Sequence, residues 1–122
     1  MNRHLVHLVF AIGSLLSWRG RQITRDHIFA LEDTSAATRW KRLGRRLQNE
    51  NKPKGTYAFA TVDLNDIEKK YEGHRDCLTE VIDRWVDMSA KHTVGQLYDV
   101  LLLEDLHRAA MEVFGEPPIQ QN

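Results

Sequence analysis

"KHTVGQLYDVLLLEDLHRAAMEVFGEPP" (residues 91–118) decides how this chain is read. Thr93-x-x-Gln96 has capping-box spacing, in which the two side chains satisfy backbone donors at a helix start. Val94, Leu97, Val100, Leu101 and Leu102 follow. They are too apolar for a helix with one broad exposed face, so this helix belongs at or near the centre of a bundle. Leu106, Ala109, Ala110, Val113 and Phe114 form the inward face of a last helix, and the two alanines permit close approach. Gly115 and the Pro117–Pro118 pair end it. Nothing in the stretch supplies catalytic chemistry.

Working outward, every strong segment is helical. "RDCLTEVIDRWVDMSAK" (75–91) carries one apolar stripe, Leu78, Val81, Ile82, Trp85 and Met88, with Glu80, Asp83, Arg84 and Asp87 largely off it. "TVDLNDIEKKYEG" (61–73) reads as a short helix capped by Thr61 or Asp63, with Leu64, Ile67 and Tyr71 inward and Gly73 at its end. "NKPKGTY" (51–57) is a loop by its Asn, Pro and Gly, and the irregular stretch runs to about residue 61. "DTSAATRWKRLGRRLQNE" (33–50) predicts one helix starting at Asp33, Thr34 or Ser35. Ala36, Trp40, Leu43 and Leu47 are its buried face, and Arg39, Lys41, Arg42, Arg45 and Arg46 occupy the rest. "TRDHIFALED" (24–33) predicts a short helix with Ile28, Phe29 and Leu31 inward.

The first residues admit two readings. "HLVHLVFAIGSLLSW" (4–18) is apolar and follows Met1 and Arg3, as the core of a secretory signal would. Two histidines interrupt it, and Arg19-Gly20-Arg21 follows in place of a small-residue cleavage site, which favours a helix packed on the bundle and capped by Gly20. It is too short to span a membrane.

A chain of 122 residues suits one domain, and 42% apolar with 28% charged residues suits a single globular core. One cysteine, Cys77, excludes an internal disulfide and a cysteine-rich zinc site. Net charge is zero but unevenly spread: residues 1–61 carry +7 and residues 62–122 carry −7. If the halves form different faces, the domain is electrostatically bipolar and copies attract head to tail.

Candidate chemistry is sparse. His4 and His7 share a possible helical face but have no acidic or thiol partner nearby. Asp26-His27 has no nucleophile placed by sequence. Asp83 and Asp87 have the spacing for one helical face, where paired carboxylates can do acid–base work, yet Arg84 between them favours a solvated face. No Gly-rich phosphate loop and no zinc-ligand spacing occur.

Four pieces in order resemble the death-domain superfamily across residues 24–115: "RWKRLGRRL" (39–47), "DIEKKYEGHRD" (66–76), "LTEVIDRWVD" (78–87) and "HTVGQLYDVLLLEDLHRAA" (92–110). They are similar to the starts and turns of that family's second to sixth helices. The Thr-Val-Gly-x-Leu start and the extended loop before residue 61 look most like the Tube, Pelle and interleukin-1-receptor-associated-kinase type. Residues 3–18 fall outside the common pattern. The resemblance implies an all-α six-helix antiparallel bundle at 24–115, and the residues outside it read as an additional apolar helical extension at 1–20 and a tail at 116–122. It implies a cytoplasmic, non-catalytic signalling adaptor with no cofactor or metal, assembling death-domain complexes in Toll, innate-immune or apoptotic signalling.

Its partners would be other death-domain proteins, adaptor or kinase, with self-association included. It weighs against a small-molecule substrate, and against nucleic acid or membrane, recruitment to a receptor aside. Two charged faces would make the contacts: Arg39, Lys41, Arg42, Arg45 and Arg46 on one, and Glu80, Asp83, Asp87, Glu104 and Asp105 on the other. The alternative from another class is a small helical nucleic-acid-binding domain using the Arg39–Arg46 run. A secreted helical protein with a cleaved leader is the third reading.

Overall fold

The computed structural model describes residues 18–115, and within them the chain is an all-α bundle of six named helices. These are α1 (Arg25–Glu32), α2 (Trp40–Arg46), α3 (Thr61–Lys70), α4 (His74–Met88), α5 (Val94–Leu103) and α6 (His107–Phe114). Most of the 1–20 extension, His4 and His7 with it, and the 116–122 tail lie outside the described residues. Trp18–Gly20 are helical, and the rest of the helix that Gly20 was expected to cap lies outside the described residues.

The hub is α4, which packs against α1, α2 and α3; α5 packs on α2 and α6. The expected core residues Trp40, Leu43, Trp85, Leu97 and Leu101 are all buried. The all-round apolarity of α5 has a different cause from central position. Its outer side is covered by the residues that enter the bundle. The Trp18 ring meets Tyr98 edge-on at 5.1 Å, and its Nε1–H donates to the Phe114 carbonyl at 3.3 Å. Gly95 lets the Arg19 backbone lie against α5, since a Cβ there would stand 2.8 Å from Arg19 Cβ. Leu103 escapes this cover and is 67% exposed.

The sequence reading needs four corrections. The 33–50 helix shortens to Trp40–Arg46. The Thr34 hydroxyl donates to the Leu31 carbonyl and accepts from the Ala36 N–H, so residues 34–39 run as turns that still bury Ala36 and Ala37. The capping box at Thr93 does not form. Arg21 and Gln22 lie across that helix start instead, with the Val94 N–H donating to the Arg21 carbonyl at 2.9 Å. The Gln96 Oε1 is buried with no hydrogen-bond partner among the described residues. Phe29 points outward at 53% exposure because Ile28 and Leu31 fill the inward positions of a two-turn helix. Gly73 precedes α4 as its N-cap, while α3 ends at Lys70.

A capping box does form at α1, with His27 in the usual place of Glu or Gln. The Thr24 hydroxyl accepts from the His27 N–H at 3.2 Å, and the His27 Nδ1 accepts from the Thr24 N–H at 3.1 Å. Burial pushes the His27 imidazole below its ordinary pKa, in keeping with an unprotonated accepting nitrogen. At α3 the Asp63 carboxylate accepts from the Ala60 N–H at 2.9 Å, so the cap falls to Asp63 rather than Thr61. Gly115, at φ 73°, ends α6 as expected.

Candidate functional site

The arginine run stands on the outer side of α2 because Trp40, Leu43 and Gly44 take the inner side. Gly44 sets how close α2 sits to the bundle: a Cβ there would stand 2.8 Å from Leu64 Cδ2 and 3.4 Å from Val81 Cγ1. The face that results is not uniformly free. Arg46 Nε donates to Glu104 Oε1 at 2.6 Å, and Arg42 Nε lies 3.4 Å from Glu104 Oε2. Arg39 donates to the Glu104 backbone carbonyl at 3.1 Å, and Lys41 pairs with Glu68 at 3.3 Å. Arg45 is exposed and makes no ion pair among the described residues.

Glu104 therefore does not belong to an acidic outer face. Only 6% exposed, it is the floor of the arginine face, because a buried carboxylate needs charged partners and two arginines are in reach. Of the other acidic candidates, Asp83 pairs with Arg25 at 2.7 Å and Glu80 with Arg84 at 2.7 Å. The hydrogen bond from Arg84 holds the Glu80 carboxyl below the usual carboxylate range, with the Tyr71 hydroxyl adding to it. Asp87 and Asp105 stay exposed, Asp105 at the α5–α6 turn in the left-handed region, φ 59°.

The halves of the chain are consequently interleaved rather than opposed. Arg19, Arg25, Lys41, Arg42 and Arg46 of the basic half pair with Asp99, Asp83, Glu68 and Glu104 of the acidic half. Much of the +7/−7 asymmetry is spent inside the molecule.

Beside α2 lies a cleft of about 500 Å3, lined by Arg42, Arg45, Arg46, Tyr57, Phe59, Ala60, Thr61 and Glu104. Sequence reasoning missed Tyr57 and Phe59, because they reach the arginines through the 47–60 connection. The Ala58 N–H donates to the Leu47 carbonyl and the Asn49 N–H to the Thr56 carbonyl, each at 2.8 Å, folding the segment back on itself. Gly55, at φ 89°, makes the return. Phe59 is buried as the anchor, and Tyr57 is left 54% exposed on the cleft wall.

Trp85 and His92 clamp the same connection from below. The Trp85 Nε1–H donates to the Gln48 carbonyl at 2.8 Å, and the Glu50 N–H donates to His92 Nε2 at 3.0 Å. The buried His92 ring stacks on Trp85 at 4.4 Å with 9° between planes, and its Nδ1 meets the Trp85 carbonyl at 2.5 Å. The signal available in sequence was Trp85 followed by His92 seven residues on, which periodicity alone assigns to core.

Cys77 is buried beneath α3, with its thiol near the Tyr71 and Ile67 carbonyls, and burial pushes its pKa up, away from the reactive thiolate. Among the described residues, no group of three or more His, Cys, Asp or Glu is placed to hold a metal ion, and no helix is long and apolar enough to cross a membrane. What fold and surface define together is an all-helical bundle with an arginine-lined, aromatic-walled cleft. No protein-family model, curated protein or solved structure matches the chain.

Proposed function

We propose that this chain is a non-catalytic protein–protein interaction module of the death-domain type, serving a cytoplasmic signalling adaptor by binding other such bundles and copies of itself. The observation that carries the reading is the unequal commitment of the α2 arginines. Arg45 is left for a partner beside an exposed Tyr57, while Asp87 is left exposed on α4. Arginine and tyrosine are the residue types that dominate interface energies, and exposed charges set orientation and on-rate.

The test is assembly of the chain measured by light scattering across concentration and salt. Arg45→Glu and Asp87→Lys are each expected to abolish self-assembly. An equimolar mixture of the two should form a heterodimer and stop there, since one intact face of each sign remains. Assembly unaffected by both variants and by salt would exclude the charged-face reading.

One feature favours nucleic acid as the second reading: an exposed aromatic, Tyr57, beside three arginines. A gel shift with single-stranded oligonucleotides that is lost in Tyr57→Ala would select it.

A further inference from the structure

We infer that the cleft beside α2 is a recognition site for a phosphomonoester, carried on a serine or threonine side chain of a partner protein. The inference rests on reading α2 as a contact face and names the chemistry that face takes. Arg42, Arg45 and Arg46 lie at the spacing that puts side chains on one helical face. Glu104 is held through the Nε of Arg42 and of Arg46, so the terminal guanidinium nitrogens of both are not used in that contact.

The buried carboxylate thereby holds the Arg46 fork by a hydrogen bond and draws the Arg42 fork beside it, next to the uncommitted Arg45, a supported arrangement rather than three independent surface side chains. Planar arginine forks match the oxygens of phosphate two at a time.

Charge decides between the candidate anions. Three arginines against one carboxylate leave the lining two positive charges in excess. A phosphomonoester carries about −1.5 to −2 at neutral pH and neutralises that excess, whereas a carboxylate leaves one arginine uncompensated. α3 adds donors rather than net positive charge: it starts at Thr61 on the cleft wall, where the first backbone N–H groups of a helix lack intrahelical partners, while the Asp63 carboxylate in the same turn is engaged by the Ala60 N–H. The volume of about 500 Å3 exceeds a lone phosphate and admits a side chain with its flanking backbone against Tyr57.

The experiment is a nitrogen-15 NMR titration of the full chain at fixed ionic strength. The ligands are a blocked Ala-phosphoserine-Ala tripeptide, the same tripeptide with Glu in place of phosphoserine, and inorganic phosphate. The phosphopeptide should move the Thr61 and Val62 amides and the arginine Nε–H signals, and bind about tenfold more tightly than the Glu peptide. Arg45→Gln should weaken it about tenfold, and Arg108→Gln, on the exposed side of α6, should leave it unchanged.

Equal affinity for the phospho- and Glu peptides overturns the inference, as does an equal loss in Arg108→Gln. Inorganic phosphate binding as tightly as the phosphopeptide overturns the side-chain carrier. Charge-dependent assembly without phosphopeptide preference overturns this inference and leaves the module reading standing. Phosphopeptide preference without charge-dependent assembly overturns the self-assembly reading and leaves this one.

Discussion

The α2–α5 face and the α1–α4 face look alike in sequence, both being helices studded with charge, but the molecule uses their charges differently. Across α1 and α4 the ion pairs Arg25–Asp83 and Arg75–Asp33 are exposed and join neighbouring elements, and the half-buried Thr79 hydroxyl donates to Glu32. Each ion pair is a surface contact of the kind that contributes about 0–1 kcal/mol. Between α2 and α5 a single buried carboxylate gathers Arg42 and Arg46, and a cleft with an exposed aromatic opens beside them. The difference shows that charge density does not mark a binding face. What marks it is charge held in place yet not fully neutralised.

The largest expected effect lies beneath the charged faces. Leu101, on the inner side of α5, is fully buried. Leu101→Ala should cost about 2–5 kcal/mol if the site does not collapse around the void. Denaturant titration reads it directly, and wild-type stability would show that α5 does not pack as described.

The next effect separates the two faces. Arg42→Ala with Arg46→Ala leaves the Glu104 carboxylate buried without a charged side-chain partner, an expected cost of about 1–3 kcal/mol. The loss should shrink if Glu104→Gln is added, because the uncompensated charge goes with it. Independent costs for the double and triple variants would show that Glu104 is solvated in the native state.

Sequence legibility divides along the same line. The bundle was readable because its information is local. Leu78, Val81, Ile82 and Trp85 recur at helical spacing, and all four are buried. Leu43, Ala109 and Ala110 were placed inward by the same rule. What failed were features fixed by residues far away in the chain. Thr93 has capping-box spacing, but the backbone of Arg21 and Gln22 occupies its place. Glu104 looked like a surface acid until the fold set Arg42 and Arg46 against it, 62 and 58 positions away. Arg42, Arg45 and Arg46 were legible as a set, whereas the cleft they line was not. Its other wall comes from a loop positioned by Trp85 and His92.

A smaller effect is expected on the α1–α4 face. Asp83→Lys replaces the exposed Arg25 pair with two like charges, and should cost about 0.2–1 kcal/mol at low salt. The cost should fade as ionic strength rises, because exposed charges are screened over about 8 Å at physiological salt. Assembly should change little, since Asp83 is already partnered. A loss of assembly as large as that in Asp87→Lys would return Asp83 to the contact surface.

The smallest effect on folding should fall on the residue with the largest expected effect on binding. Arg45 is exposed, lies at neither a cap nor a core position, and forms no ion pair among the described residues. Surface substitutions of this kind usually move stability by under about 0.5 kcal/mol. In Arg45→Glu two small terms also oppose each other. An acid in the last turn of α2 opposes the helix dipole, while a carboxylate near Arg42 and Arg46 offsets the local crowding of positive charge. Thermal unfolding by circular dichroism should therefore superimpose on wild type. Self-assembly should nonetheless be abolished, since the charge that guides it is reversed. Arg46→Glu supplies the contrast: it breaks the Glu104 contact, so it should lose stability and assembly together. If Arg45→Glu destabilises as much as Arg46→Glu, then Arg45 is a structural residue and the α2–α5 face is tied down as thoroughly as the α1–α4 face.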